Sequence, residues 1–539
     1  TVVDCTGVSS NALQNQSKFI LCNTSLDYYK ELGIELNRNP YPSVNEDKQK
    51  LIVPESQYIF WDWINGDDKN SEKEGGGHSK KLAVKSPNGV RAVLMKEGYI
   101  KTDGTATLGL KKEPIKVVAL SLLSDDKKIN KWINSKCYGD TLQEDGKYVV
   151  SSATNTADPF NWDMPKPDNG TYLISIMREK NLNGVVLESD YSELKLKNIQ
   201  FSDSKTTSLR SAYIRIDSDY KIENCYFDCT YNQREGSVIY SSSVDANIIK
   251  NVKITGNYST GIYLNGGTET ILDQVQITGG SYGVGVEARG KVTIQGGDTC
   301  IEYLTIQGGK VRFEEGTIKS HKSRYDSGVW IREGEYYQSG NSQIVSNGDG
   351  ISGYGKVYLN GGKIIGTDMY GRGVCCTSGG RYDWLEVYLN GTTIRNFNSG
   401  IDSEYVMLYM TDGEIIENQI GIDGHSQSSS NYIDRVYMSG GSISRNTSHG
   451  VMGVPGFNMT GGEICDNNGS GFWYSNIKMK GGSIARNKGY GIYSSKLVTI
   501  SGGVIEDNKN CGINQSDGSV LIEGGIIRNN YGEYGSAIY

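Results

Sequence analysis

Over roughly the last 400 residues, apolar side chains come in short pieces of three to five, each closed by Gly or Asn. The C-terminal stretch repeats most openly: MSGGSISRN, MTGGEICDN, MKGGSIARN, ISGGVIEDN and IEGGIIRNN. The second Gly of each pair falls at Gly441, Gly462, Gly482, Gly503 and Gly525, a spacing of 20 to 22 residues. An Asn follows at Asn446, Asn467, Asn487, Asn508 and Asn529, and the same rule recovers Asn396 and Asn418 from Gly391 and Gly413. A third piece, Gly followed by Val, Phe or Ile, comes next at Gly450, Gly471, Gly491 and Gly512. It runs back through Gly421, Gly400, Gly373, Gly350, Gly328 and Gly283 to Gly261.

Three short β-prone pieces per 20 to 30 residues describe one coil of a parallel β-solenoid. The repeat predicts about sixteen such coils between residues 141 and 539. Asn at a fixed turn of successive coils is expected to stack as an amide ladder, and both Asn and Gly tolerate the left-handed backbone of a tight turn. The spacing fits neither a leucine-rich repeat nor a propeller blade. Residues 1–140 lack the repeat and read as a separate N-terminal domain that caps the first coil, with an apolar run at Val117–Leu120 and a short helix near Ile129–Asn134. Regular coils are expected from about Tyr172.

Composition narrows the class. Gly is 69 of 539 residues and Tyr 36 against 9 Phe, so the aromatic groups tolerate water at one end. A net charge of −7 without a dense basic block argues against nucleic acid as a partner. No apolar run reaches the length of a membrane span. Ten cysteines in no zinc-type pairing, with Cys5 and Cys22 placed to pair, fit an oxidising, secreted location. The chain starts at Thr1 and stops at Tyr539 in mid-coil, which reads as a mature or trimmed product.

With its GG-x-I-x-x-N and G-I-x coils, the stretch from about residue 170 to 539 resembles the pectate-lyase-like superfamily of right-handed parallel β-helices. The resemblance implies an all-β fold and, for function, either polysaccharide cleavage or a structural role such as an adhesin or spike. Asn155-Thr-Ala-Asp158 and Asp423-Gly-His425 only approach the polygalacturonase motifs, and the Trp-Ile-Asp-His motif of calcium-binding pectate lyases is missing.

The repeat also gives approximate geometry, because equivalent residues of neighbouring coils lie about 4.8 Å apart. Aligned on the Gly-[Ile/Val] piece, the next, outward-pointing residue reads Tyr263, Gly285, Trp330, Ser352, Cys375, Asp402, Asp423, Met452, Trp473, Tyr493 and Asn514. Asp402 and Asp423 thus stack, with Glu404 and His425 beside them. Opposed like charges destabilise a sheet, so such a pair calls for a reason. A glycosidase offers one: two carboxyls about 5–5.5 Å apart, one kept neutral as the acid. A bound Ca²⁺ is a second, and a solvated surface face a third. No other cofactor is expected. Trp330, Arg332, Tyr382 and Trp384 lie in the irregular turns between about 310 and 440 and suit sugar rings and hydroxyls, and Asp326 and Glu333 form a second carboxylate candidate.

The expectation is a secreted glycoside hydrolase acting on a poly- or oligosaccharide, with Asp402 and Asp423 as the catalytic pair and Glu404 and His425 in support. Its rival is an extracellular fibre, spike or adhesin that self-associates head to tail through an uncapped last coil.

Overall fold

The computed structural model describes residues 58–107, 113–121, 160–167 and most of 171–539, with the two-residue strands Val44–Asn45, Lys50–Leu51, Leu123–Ser124, Thr141–Leu142 and Tyr148–Val149. The segments 180–184, 190–192, 203–212, 230–235, 321–325, 378–383, 426–434 and 533–536, with residues 267–268, 288–289 and 495, are outside the described set. So are Tyr382, Cys5, Cys22 and the helix expected near Ile129–Asn134. The chain forms two compact units, Thr1–Tyr191 with Lys195–Thr206, and Ser192–Leu194 with Thr207–Tyr539.

In the first unit, Tyr58–Trp61 pairs in parallel with Ile115–Ala119, and that strand with Ile174–Arg178. Parallel pairing therefore begins well before Tyr172. The connection between the first two strands carries the helix Pro87–Lys96, N-capped by Ser86, and this insertion is what hides the period in the sequence. Asp68 is fully buried and accepts hydrogen bonds from the backbone N–H groups of Lys85 and Ser86 just ahead of that helix.

The second unit is a parallel β-solenoid. The solenoid makes about 13 turns among the described residues, a little fewer than the sixteen expected. Three ladders of strands run along it. One passes through Lys363–Gly366, Leu385–Arg395, Val406–Ile416, Ser442–Ser444 and Glu463–Cys465. In this ladder Ile364, Ile394, Ile415, Ile443, Ile464 and Ile484 stack inward, all fully buried. Each such side chain contributes roughly 1.5–3 kcal/mol by leaving water.

The repeat glycines are dictated by how closely the coils approach. Gly441, Gly462, Gly482 and Gly503 have φ of 78 to 90°, and a Cβ on any of them would lie 2.4–2.6 Å from the Cε methyl of a buried Met one coil earlier. Gly421, Gly450 and Gly471 of the Gly-[Ile/Val/Phe] piece sit against the next coil's carbonyl oxygen at 2.4–2.8 Å from where a Cβ would stand.

The amide ladder exists, with two corrections. Asn418, Asn446, Asn467, Asn487, Asn508 and Asn530 form it: each Oδ1 from Asn446 onward accepts from the backbone N–H and Nδ2 of the preceding Asn, at 2.9–3.3 Å. Its last member is Asn530 rather than Asn529, and Phe397, not Asn396, occupies the slot before Asn418, donating its N–H to Asn418 Oδ1. Asn396 and Asn529 instead take the left-handed position one residue earlier, φ 64 and 53°. Glu417, Arg445, Asp466, Arg486 and Asp507 hold the same conformation. The ladder asparagines are thus selected for their amides, and the strain of the turn falls on the residue before them.

Candidate functional site

The strand register reproduces the row read from the sequence and adds one member. Trp330 pairs with Ser352, Ser352 with Cys375, Asp402 with Asp423, and Asp423 with Met452. Between Gly285 and Trp330 stands Thr305, on a coil whose Leu304 follows Tyr303 (φ 66°) in place of Gly, so the Gly-[Ile/Val] signal skips it.

Asp402 and Asp423 do not face solvent as expected: they are 2% and 6% exposed. Both end a strand and both close the same turn, Asp402 Oδ1 accepting from Glu404 N–H at 3.0 Å and Asp423 Oδ1 from His425 N–H at 2.9 Å. The left-handed backbone at His425, φ 51°, carries its imidazole back over the previous coil. There Nε2 lies 3.1 Å from Asp402 Oδ2, while Nδ1 lies 3.8 Å from Asp423 Oδ2. One imidazole therefore joins the two carboxyls.

The remaining charge comes from Arg372. Its guanidinium donates to Asp402 Oδ2 at 3.1 Å and makes a two-pronged bond to Asp349 at 3.1 and 2.7 Å. The Cys375 thiol also donates to Asp349 Oδ2, at 3.2 Å. Asp349 was not among the residues singled out in the sequence. The signal was present one place over: the residue before each Gly of the Gly-[Ile/Val] piece reads Ser327, Asp349, Arg372 and Ser399, an acid and a base on successive coils.

Burial, reinforced by the Asp402 charge, raises the pKa of Asp423 above the usual carboxylate range, while His425 and its N–H act in the opposite sense. Burial works against a charged His425, but Asp402, Asp423 and Glu404 outweigh it and raise its pKa. Burial and Asp349 push the Cys375 thiol well up, which keeps it protonated.

Ligand atoms of Asp402, Glu404 and His425 all lie within 4.8 Å of one another. This mixed oxygen and nitrogen set departs from the all-oxygen shell that Ca²⁺ takes, and Arg372 already supplies a positive charge to Asp402.

Trp384 is brought near this cluster. It meets Tyr405 edge-on at 5.8 Å and lies under the Arg435 guanidinium at 5.2 Å, and Arg435 donates to Ser403 O. Trp330 stands three coils away. Arg332 is tied to Tyr354 OH at 3.2 Å. Asp326 and Glu333 flank opposite ends of the Val329–Arg332 run of one strand, Asp326 acting on Tyr303 and Glu333 on Arg332.

Residues 183–297 match the family model described as the right handed beta helix region. The fold is a right-handed parallel β-helix. Neither the curated proteins nor the solved structures give a match. Among the described residues, no helix of this β-helix is long and apolar enough to cross a membrane.

Proposed function

We propose that this β-helix is a carbohydrate-active enzyme, a glycoside hydrolase whose reacting groups lie in the Asp402, Glu404, His425 and Asp423 cluster. One observation carries the reading: two carboxyls buried in register on adjacent coils, with a single imidazole between them. Arg372 and His425 both reach Asp402 Oδ2, at 3.1 Å each, which holds this carboxyl in place as a nucleophile, and burial favours the neutral form of Asp423, as an acid needs. Glu404, less buried, brings a carboxylate oxygen within 4.8 Å of ligand atoms of Asp402 and His425 and supports the pair. The His425 side chain is 46% exposed and links this buried pair to solvent. Secretion and a poly- or oligosaccharide substrate belong to the same proposal.

The burial of Asp402, with both oxygens already bonded, favours a second reading, in which the cluster is an ionic staple within a structural protein. A screen for release of reducing ends from neutral and acidic polysaccharides separates the two. Turnover that disappears in Asp402→Asn and Asp423→Asn, with unchanged circular dichroism, supports the enzyme. Turnover retained in both variants rejects this assignment of the site, and no turnover on any polysaccharide leaves the staple.

A further inference from the structure

On the same outward row, three coils before Asp402, the surface opens into a cavity of about 290 Å³. Its walls are aromatic and its floor is built from small residues. Tyr263 stacks on Tyr240 of the preceding coil, centroids 5.4 Å apart and planes within 14°. The other face of Tyr263 turns toward the next coil, where its register partner is Gly285. A Cβ there would stand 3.1 Å from Tyr263 Cδ2 and 3.3 Å from Thr305 Oγ1, so glycine keeps the space open. Thr305 continues the floor and Trp330 closes the row. Tyr263 and Trp330 are three rungs apart, about 14 Å at ideal strand spacing. Along one side run Tyr282 and Tyr303, stacked at 5.3 Å. Gln307 faces them from the lining.

Among the described residues no charged side chain lines this cavity, and Asp326 acts on the lining Tyr303 from outside it. The nearby Glu287 is engaged by the Tyr263 hydroxyl. An aromatic side chain at each end, an aromatic flank, and hydroxyl and amide groups between them suit rings with apolar faces and polar edges. We infer that this cavity is a binding subsite for a short run of pyranose units of a neutral oligosaccharide, lying along the solenoid axis with one unit against Tyr263 and the next toward Trp330. The inference rests on the carbohydrate reading for its class of ligand only, and it stands whether or not Asp402 is catalytic. It also sets the direction of an extended substrate: a chain held here reaches the carboxylate cluster after three further coils.

The test is calorimetric titration of the full chain and of Asp402→Asn with cellohexaose, xylohexaose, mannohexaose and maltohexaose, with hexagalacturonate as the acidic control. At least one neutral hexasaccharide is expected to bind both proteins. Trp330→Ala and Gly285→Val, the second filling the floor with a residue suited to a strand, are each expected to weaken it at least tenfold. Trp330→Phe, which keeps a ring face, recovers most of the affinity. The inference is overturned if no neutral hexasaccharide binds, if both cavity variants bind as the parent does, or if hexagalacturonate binds as tightly. Binding that survives while turnover is missing in the parent removes the hydrolase and keeps the subsite.

Discussion

The amide ladder of the C-terminal coils and the ionic cluster at Asp349–Asp423 both bury polar groups in one solenoid, the ladder completely and the cluster at its carboxyls, and they satisfy them differently. In the ladder every member is neutral and identical, and each amide is both donor and acceptor to the next, so the row satisfies itself at any length. In the cluster no two neighbours are alike. Asp349, Arg372, Asp402, His425 and Asp423 alternate in charge, and removing one strands the next. A repeat that serves architecture alone has no need of this second arrangement, because the first is available at the cost of one Asn per coil. That contrast is why the cluster, and not the ladder, is the candidate site.

The largest effect is expected from Arg372→Ala. It leaves Asp349 and Asp402 buried without their shared cation, a loss on the order of 3 kcal/mol. Thermal unfolding should show it as a lowered midpoint, and a variant as stable as the parent would mean that the cluster is solvated. Next comes Asn467→Ala. It removes the acceptor of Asn446 N–H and Nδ2 and the donor to Ile443 O, for a loss of about 2 kcal/mol. Chemical denaturation is the measurement, and the same substitution at Asn529, outside the ladder, should cost less.

A milder, outer row tests whether stacking without burial matters. Tyr337, Tyr358, Tyr388, Tyr409 and Tyr437 stack on successive coils at 4.4–5.2 Å with planes within 12°. Tyr388→Ala breaks two of these contacts and is expected to cost about 1 kcal/mol. The smallest effect concerns pH. The raised pKa of His425 gives stability that is present below the ordinary imidazole value of about 6.5 and is lost as pH rises through the folded value. The raised pKa of Asp423 acts in the same direction at lower pH, since its ionisation disfavours the folded state as pH rises. Unfolding midpoints across pH 5 to 9, in steps of about one unit, should therefore decline, and His425→Gln should flatten the part of the decline that begins near the ordinary imidazole value of about 6.5.

What could be read from the sequence follows from what the repeat controls. The coil glycines are set by distances between backbones, so their spacing reported the register from Trp330 to Asn514, including the stacking of Asp402 on Asp423. Where the Gly was missing, at Tyr303-Leu304, a coil passed unnoticed. Burial was not legible. Outward position in a strand does not mean exposure when the following residues turn back, as His425 does over Asp402. Asp349 was missed because it precedes the Gly on which the coils were aligned.

The most direct test of the central claim is Asp423→Asn, measured for both thermal midpoint and hydrolysis of a polysaccharide the parent cleaves. The substitution keeps the shape and removes a carboxyl that burial already disfavours in its charged form. The account predicts a midpoint equal to or above that of the parent and hydrolysis reduced by at least two orders of magnitude. A midpoint lowered as far as in Asn467→Ala, with hydrolysis unchanged, would contradict it and make the cluster a second ladder written in charges.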